Sequence, residues 1–183
     1  MALKATIFKV ELQIADLDRA YFASHSLTVA RHPSETDERM MMRLLGFILH
    51  ASDQLQFGRG LSAEGEADLS EQDATGEILR WIDVGLPEEK WVRKACQRAR
   101  EVSLLTYGGR GAEIWQQQTL PLVSQFGNLQ VIHIPPAQSQ SLANMARRTM
   151  RLDCTIQEGT LWLGDETQQV TLNPELVKAM ATA

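Results

Sequence analysis

The stretch from residue 64 to residue 101 constrains the fold more than any other part of the chain. It predicts a strand within 61–70, a polar turn, a second strand at Ile78–Val84, a short corner and a basic amphipathic helix. The second strand is apolar on both faces except at Arg80 and Asp83, which is typical of a central strand covered on both sides. The chain is therefore expected to build an α/β fold around this strand.

Two aspartates of this segment are expected to face each other. If the turn is centred near Thr75, Asp68 and Asp83 lie nearly opposite across an antiparallel pair, with Cβ atoms about 5 Å apart. Like charges at that distance repel, and an ionised carboxylate in a covered strand is costly without a partner. A divalent cation between the two would remove both costs. The alternative is that Asp83 caps the following helix and Asp68 is a solvated residue at a sheet edge.

The helix predicted over 87–100 carries the basic side chains of the segment. Lys94 and Arg98 border its apolar stripe, so Lys94 can bring its ammonium group toward buried groups. A lysine at such a border can equally lay its stem over apolar surface and keep its charge in water. At about 100° per residue, the apolar stripe consists of Trp91, Val92, Ala95, Cys96 and Ala99.

An earlier helix, predicted over 34–50, adds a third acid. Ser34 can cap its N-terminus, and acids crowd its first turn, where the helix dipole favours them. Glu38 lies on the same stripe as Met42 and Leu45, which is expected to face the core. The Glu38 carboxylate either points into the site of the two aspartates or stays a solvated first-turn charge.

Both ends of the chain are predicted to contribute extra β-strands. Residues 4–14 alternate in polarity and form a hairpin with Tyr21–Arg31, while residues 150–172 form a meander followed by a short tail helix from Pro174. A strand at 102–107 follows the basic helix, which favours a parallel, right-handed crossover. The expected fold is one α/β domain over 1–183, with a mixed central sheet, extra β-strands from both termini and helices on both faces.

Composition limits the function further. No stretch approaches the roughly 20 apolar residues that span a bilayer, and the N-terminus lacks the pattern of a signal peptide, so a cytoplasmic protein is expected. The two cysteines, Cys96 and Cys154, are then expected to be reduced, without a disulfide-linked partner. The net charge of -5 argues against a general nucleic-acid coat, so a phosphate-binding surface would be local. The histidines and cysteines lack zinc-ligand spacing.

Several segments also carry a resemblance to a known family. They are Met1-Ala-Leu-Lys-Ala-Thr-Ile-Phe-Lys, Glu38-Arg-Met-Met-Met-Arg-Leu-Leu, Trp81-Ile-Asp-Val-Gly-Leu-Pro, Val92-Arg-Lys-Ala-Cys and Tyr107-Gly-Gly. With these segments the chain resembles the YaeQ family of small bacterial proteins over nearly its whole length. The resemblance implies a variant of the PD-(D/E)xK nuclease core, in which a helix, an antiparallel three-stranded unit, a helix and a further strand follow in order. That order is predicted over 34–107, within a core of about 34–134.

The nuclease motif is matched in part. Ala67-Asp68 stands where that superfamily has Pro-Asp, and Asp83-Val84-Gly85 stands where it has acid-x-Lys. Gly85 therefore replaces the motif lysine. Some members of the superfamily carry the lysine on the following helix, and Lys94 is the candidate here.

The resemblance also implies a ligand set and a contact surface. Glu38 matches an acid often supplied by the first helix and Gln97 a glutamine sometimes found in the second, so Glu38, Asp68 and Asp83 would hold the metal. Hard oxygen ligands select Mg²⁺ or Mn²⁺ rather than zinc. The residues expected to contact nucleic acid are Arg93, Lys94, Gln97, Arg98 and Arg110.

Two functions remain open at this point. One is a divalent-metal-dependent phosphodiesterase or nuclease, in which Asp68, Asp83 and Lys94 are catalytic. The other is a non-catalytic module that binds nucleic acid or a protein and keeps a nuclease-like core. The pair of aspartates favours the enzyme, whereas the missing lysine at Gly85 and the negative net charge favour the binding module.

Overall fold

The structure, a computed structural model, describes residues 4–59 and 65–182, whose strands form two mixed sheets packed around one helix. In chain order its elements are β1 (Thr6–Asp16), β2 (Tyr21–Arg31), α1 (Asp37–His50), β3 (Gln56–Phe57), β4 (Leu69–Gln72), β5 (Ile78–Val84), α2 (Glu89–Arg98), β6 (Ala99–Tyr107), α3 (Arg110–Gln118), α4 (Leu120–Val123), β7 (Leu129–Ile134), α5 (Pro136–Ala143), β8 (Thr149–Gln157), β9 (Thr160–Gly164), β10 (Gln169–Leu172) and β11 (Glu175–Lys178).

The six-stranded sheet has β5 in its interior and runs in the order β11-β7-β6-β5-β4-β3. Strands β5, β6 and β7 are parallel, while β3, β4 and β11 pair antiparallel. Helix α1 packs on one face of β5, where Ile82 and Val84 join its core, and α2 packs on the other face with Trp81. The predictions of a central strand at Ile78–Val84 with a helix on each face are confirmed, as is the parallel crossover through α2.

The five-stranded sheet unites the two ends of the chain in the order β10-β9-β8-β1-β2. The predicted hairpin of β1 and β2 and the predicted meander of β8, β9 and β10 are both present, and β1 pairs in parallel with β8. The expected extra β-strands from both termini are therefore present, and they form a sheet of their own. Their alternating side chains, buried on one face only, need a single covering layer, and α1 supplies it.

Helix α1 is buried on all sides, which explains why a second sheet is needed. Every residue from Met40 to Ile48 is buried, so the helix shows no solvent face over this span. One cluster of apolar side chains runs from β1 and β8 through α1 to β5. The N-terminus is capped by the hydroxyl of Thr36, which accepts from the Arg39 backbone N–H, and not by Ser34 as predicted.

The remaining differences from the sequence predictions lie at element ends. Helix α2 ends at Arg98, and β6 begins directly at Ala99. The predicted tail helix is a strand, β11, because this segment pairs with the open edge of β7 and the Lys178 ammonium donates to the carbonyls of Phe126 and Leu129. The part of the predicted first strand at 61–64 lies outside the described residues.

Two findings concern membrane-spanning segments and the state of the cysteines. In the described part of the chain, no helix combines the length and apolar character needed to cross a membrane. Cys96 and Cys154 are both free thiols, on opposite sides of the fold, and burial raises the pKa of Cys96 to about 11 and that of Cys154 to about 12.

Candidate functional site

The pairing of β4 with β5 sets Asp68 against Asp83. Leu69 pairs with Ile82, so Asp68, the residue just before β4, lies opposite Asp83 on the neighbouring strand. The polar turn between the strands has its centre near Thr75, as the sequence predicted, and a bulge at Glu71 absorbs one residue without changing this register. The expectation that the two aspartates face each other is thereby confirmed.

Hydrogen bonds lock the two aspartates to each other's strand. The Asp68 backbone N–H donates to Asp83 Oδ1 at 3.1 Å, and the Val84 N–H donates to Asp68 Oδ2 at 2.8 Å. The Trp81 ring Nε1 donates to Asp83 Oδ2 at 2.8 Å. Asp83 therefore does not cap α2, whose N-cap residue Glu88 makes no side-chain cap bond. Asp68 is buried and is not a solvated edge residue.

A residue that the sequence analysis missed, Arg39, lies against this pair. Its Nη2 is 2.9 Å from both carboxylate oxygens of Asp68, and its Nη1 is 3.2 Å from Glu35 Oε1. Glu35 also accepts two bonds from the buried guanidinium of Arg43, at 2.7 and 2.9 Å. The sequence of the helix could have indicated this contact. A cation in a helix that is apolar on all sides needs an acid nearby to compensate its charge.

The surroundings of Asp83 disfavour its charge. Burial raises the pKa of the Asp83 carboxyl to about 6, and the nearby charge of Asp68 adds to the rise. The hydrogen bonds from Trp81 and from the Asp68 backbone, together with the charge of Arg39, oppose that rise in pKa. The ionised carboxylate therefore gains from any additional positive charge placed beside it.

The aspartates lie in a cleft of about 470 Å³ between the end of β5 and helix α2. Lys94 lines the same cleft, as the sequence predicted for a lysine on this helix, and its ammonium nitrogen lies 5.4 Å from the centroid of the Trp91 ring. The other lining residues are Arg39, Gly65, Glu66, Trp81, Val84, Gly85, Leu86, Pro87 and Ala95. Cations, acids and aromatic rings thus share one concave surface.

Glu38, the third predicted metal ligand, is turned toward a different partner. Its Oε1 accepts a hydrogen bond of 2.7 Å from the hydroxyl of Ser139 on α5. Glu38 and Arg39 are consecutive on α1 and so point about 100° apart, and it is Arg39 that faces Asp68. Within 4–59 and 65–182, no three histidine, cysteine or acidic side chains are grouped to hold a metal ion. The metal role of Glu38 stays a prediction.

The predicted contact residues on α2 and α3 divide into two groups. Lys94 lines the cleft, and Arg98 lies beside it, donating to the Gly65 carbonyl at 2.8 Å with its guanidinium 5.2 Å from the Trp81 ring centroid. The second group is exposed outside the cleft lining and consists of Arg93, which is paired with Glu89, Gln97 and Arg110.

Two residues of the cleft, Trp91 and Gly85, bear on what it can bind. Trp91, assigned to the apolar stripe, is 38% exposed, because Val92 and Ala95, with Cys96 packed beside them, fill the buried face of α2. Gly85, where the nuclease motif has lysine, has a φ of 119° and donates its N–H to the Leu105 carbonyl. A lysine at this backbone conformation would be strained, so the missing motif lysine is consistent with the way β5 ends.

Fold and site together define a class: a mixed α/β protein of two sheets, with an acid pair and an arginine at the end of its central strand. The family model described as "YaeQ protein" matches residues 1–174. The chain belongs to the YaeQ family.

Bacterial relatives and solved structures agree with this assignment. The "Uncharacterized protein YaeQ" of Escherichia coli K12 is 47% identical over 173 residues, covering 94% of this chain and 96% of that protein. Its Salmonella typhi counterpart is 49% identical over 165 residues, covering 90% and 91%. The crystal structure of YaeQ from Xanthomonas axonopodis pv. citri has a TM-score of 0.93 at 46% identity, covering 96% of this chain and 99% of that one. The Pseudomonas syringae structure has a TM-score of 0.91 at 34% identity, covering 96% and 97%.

Proposed function

We propose that this protein is a divalent-metal-dependent phosphodiesterase acting on nucleic acid, with a fold that is a variant of the PD-(D/E)xK nuclease core. The observation that carries the proposal is the interlocked pair Asp68 and Asp83 in a cleft that also holds Lys94. The order of elements supports it, because α1 is followed by the antiparallel unit of β3, β4 and β5, then by α2 and the parallel strand β6.

The donor set of the acid pair fits Mg²⁺ or Mn²⁺. Carboxylate oxygens are the ligands these hard cations prefer. Burial, together with the charge of Asp68, raises the pKa of Asp83 to about 6, so a cation bound there would stabilise its ionised form. Asp68 and Asp83 would hold the ion, with Glu38 reaching it only by leaving Ser139. When bound, the ion would supply an activated water and a positive charge for the phosphate. Lys94 would stabilise the charge that develops on the phosphate oxygens.

A second function has its own support. Arg39 already compensates the charge of Asp68, at 2.9 Å from both oxygens, so Asp68 does not depend on a metal ion for a counter-charge. Lys94 and Arg98 still offer positive charge at the cleft. A module that binds nucleic acid or a protein without cleaving anything is therefore the competing proposal.

The two proposals separate in a Mn²⁺ titration of the wild type and of Asp83→Asn, followed by calorimetry and by thermal unfolding. Asparagine keeps the size of aspartate but removes the charge that a hard cation requires. The enzyme proposal expects the wild type to bind Mn²⁺ and to gain about 2.7 kcal/mol at a hundredfold excess over the dissociation constant. The variant should gain nothing, and Asp153→Asn, an exposed carboxyl on β8, should behave as the wild type.

Cleavage is then assayed on single-stranded, duplex and branched DNA and on RNA, with Mg²⁺ or Mn²⁺. The expected result is activity in the wild type that is lost in Asp83→Asn and strongly reduced in Lys94→Ala. A wild type that neither binds millimolar Mn²⁺ or Mg²⁺ nor gains stability would refute the enzyme proposal and leave the binding module.

A further inference from the structure

Trp91 is an exposed aromatic side chain with two lysine ammonium groups close to its ring. Trp91 is 38% exposed, while Val92 and Ala95, which belong to the same apolar stripe of α2, are 3% and 1% exposed. The ammonium nitrogens of Lys90 and Lys94 lie 5.3 and 5.4 Å from the ring centroid, within cation–π range. Neither buried cluster of the described residues includes Trp91. Its ring is therefore available for a ligand and is not needed to fill the core.

The position of Trp91 ties this feature to the acid pair. Trp91 and Lys94 line the same cleft as Asp68 and Asp83. Because Lys94 follows Trp91 by three residues on α2, both side chains project from one face of the helix, one turn apart. A ligand that lies across the ring therefore also passes the ammonium group and approaches the carboxylates.

The charges around the ring favour an anionic ligand. Lys90 lies 3.3 Å from the Glu88 carboxylate, but Lys94 forms no salt bridge with the residues that the structure describes. The molecule as a whole carries a net charge of -5, and acids line the deeper part of the cleft, so this positive charge is local to the ring of Trp91. An aromatic face beside unpaired positive charge is the arrangement with which proteins bind a nucleic-acid strand, stacking its bases and contacting its phosphates.

We propose that the cleft selects single-stranded nucleic acid, with one base stacked on Trp91 and the adjoining phosphate at Lys94; this rests on the function proposed above. A base within a duplex has both faces covered by its neighbours, so only an unpaired base can offer its face to the ring. The cleft volume of about 470 Å³ also matches sites that enclose one small molecule, as a single nucleotide is.

The test measures fluorescence anisotropy of labelled oligothymidylate and of a labelled duplex, at low salt and with EDTA so that no cleavage occurs. The wild type should bind the single strand at least tenfold more tightly than the duplex. Trp91→Ala should weaken single-strand binding about tenfold or more, since stacking contributes roughly 1–3 kcal/mol per base. Trp91→Phe should lose less, because phenylalanine keeps an aromatic face. Phe22→Ala, which removes an exposed ring on β2 far from the cleft, is the matched control and should change nothing.

Three results would overturn this inference: equal or tighter binding of the duplex, unchanged single-strand binding in Trp91→Ala, or no binding of either form by the wild type. Thermal unfolding of Trp91→Ala confirms that the variant is folded. The two proposals fail in different ways. If only the enzyme proposal is wrong, Mn²⁺ binding and cleavage are absent but the single strand still binds through Trp91. If only the single-strand proposal is wrong, metal binding and cleavage are intact but do not depend on Trp91.

Discussion

The carboxyl group of Asp83 is held by a tryptophan ring N–H and by the backbone of the neighbouring strand, in surroundings that disfavour its charge. Burial and the neighbouring Asp68 raise its pKa to about 6. Both hydrogen-bond donors stabilise the ionised form, but they do not outweigh the loss of water. Asp83 is thus a residue whose ionisation costs stability in the metal-free protein.

This assignment predicts a pH-dependent difference between the wild type and Asp83→Asn. Because the folded-state pKa is raised from 3.8 to about 6, the contribution of Asp83 to stability is fully present below pH 4 and is lost as the pH rises through 6. The free energy of unfolding of the wild type relative to the variant should therefore fall by roughly 1 kcal/mol between pH 5 and pH 7. Urea unfolding at both pH values measures it.

The comparison removes the effect of other titrating groups that both proteins share. His50, whose pKa burial lowers to about 3, opposes folding as the pH falls below 6.5, but it does so equally in both. In the Asp83→Asn variant, the side-chain amide would face a donor, either the Trp81 ring or the Asp68 N–H, which costs about 1–3 kcal/mol at every pH. A difference that does not change with pH would show that Asp83 titrates in its ordinary range.

At the scale of an element, α1 is defined by its burial between two sheets. A helix surrounded by two sheets offers little water to charged side chains, yet it carries Arg43, which is buried, and Arg39, which is only partly exposed at the cleft. Glu35, which precedes the helix and is 5% exposed, bonds to both of them. The Arg43 guanidinium also donates to the Ala30 carbonyl at 2.9 Å, so the same network ties α1 to β2.

Glu35→Gln is expected to destabilise the protein by about 3 kcal/mol or more, because it leaves the buried Arg43 without its counter-charge. The matched control is Glu77→Gln, which breaks the exposed pair of Glu77 with Arg100 and should change the stability little, because water screens both charges. Chemical denaturation of both variants provides the two values. Equal losses would contradict the idea that burial makes the Glu35 network structurally essential.

On the scale of the whole molecule, the two sheets share one core. Side chains of β1 and β8 reach α1 from one side, and Leu69 and Ile82 of the other sheet reach it from the opposite side. Gly46 lets the second contact be close, since a Cβ there would lie 3.3 Å from Ile82 Cγ2 and 3.4 Å from Leu69 Cδ1. Neither sheet can lose α1 without exposing apolar surface.

This shared core predicts that both sheets unfold in one cooperative transition. Cys154 is a buried reporter in the five-stranded sheet, and three of the four tryptophans, including Trp81, lie on elements of the other sheet and its helices. In a Cys96→Ser background, thiol labelling of Cys154 and tryptophan fluorescence should change at the same urea concentration. Labelling of Cys154 at clearly lower urea would instead reveal two units that unfold separately.

Local patterns in the sequence determined much of this structure. The bounds of β5, the hairpin of β1 and β2, and the opposition of Asp68 and Asp83 could all be predicted from polarity and turn position. These features depend on residues near one another in the chain, so the sequence carries them directly. Lys94 was placed beside the cleft by the same reasoning, from its position on a helix face.

Tertiary structure alone decided the rest. The separate five-stranded sheet, the strand β11 and the burial of α1 on every side depend on which distant segment covers each apolar surface. The packing of α1 on β5 directs the Arg39 side chain toward Asp68. Glu38, its neighbour in sequence, points in another direction and bonds to Ser139. Trp91 stays exposed because Val92 and Ala95 already fill the space beneath α2. A periodic pattern identifies an apolar stripe, but only the volume offered by the partner element decides how much of that stripe is buried.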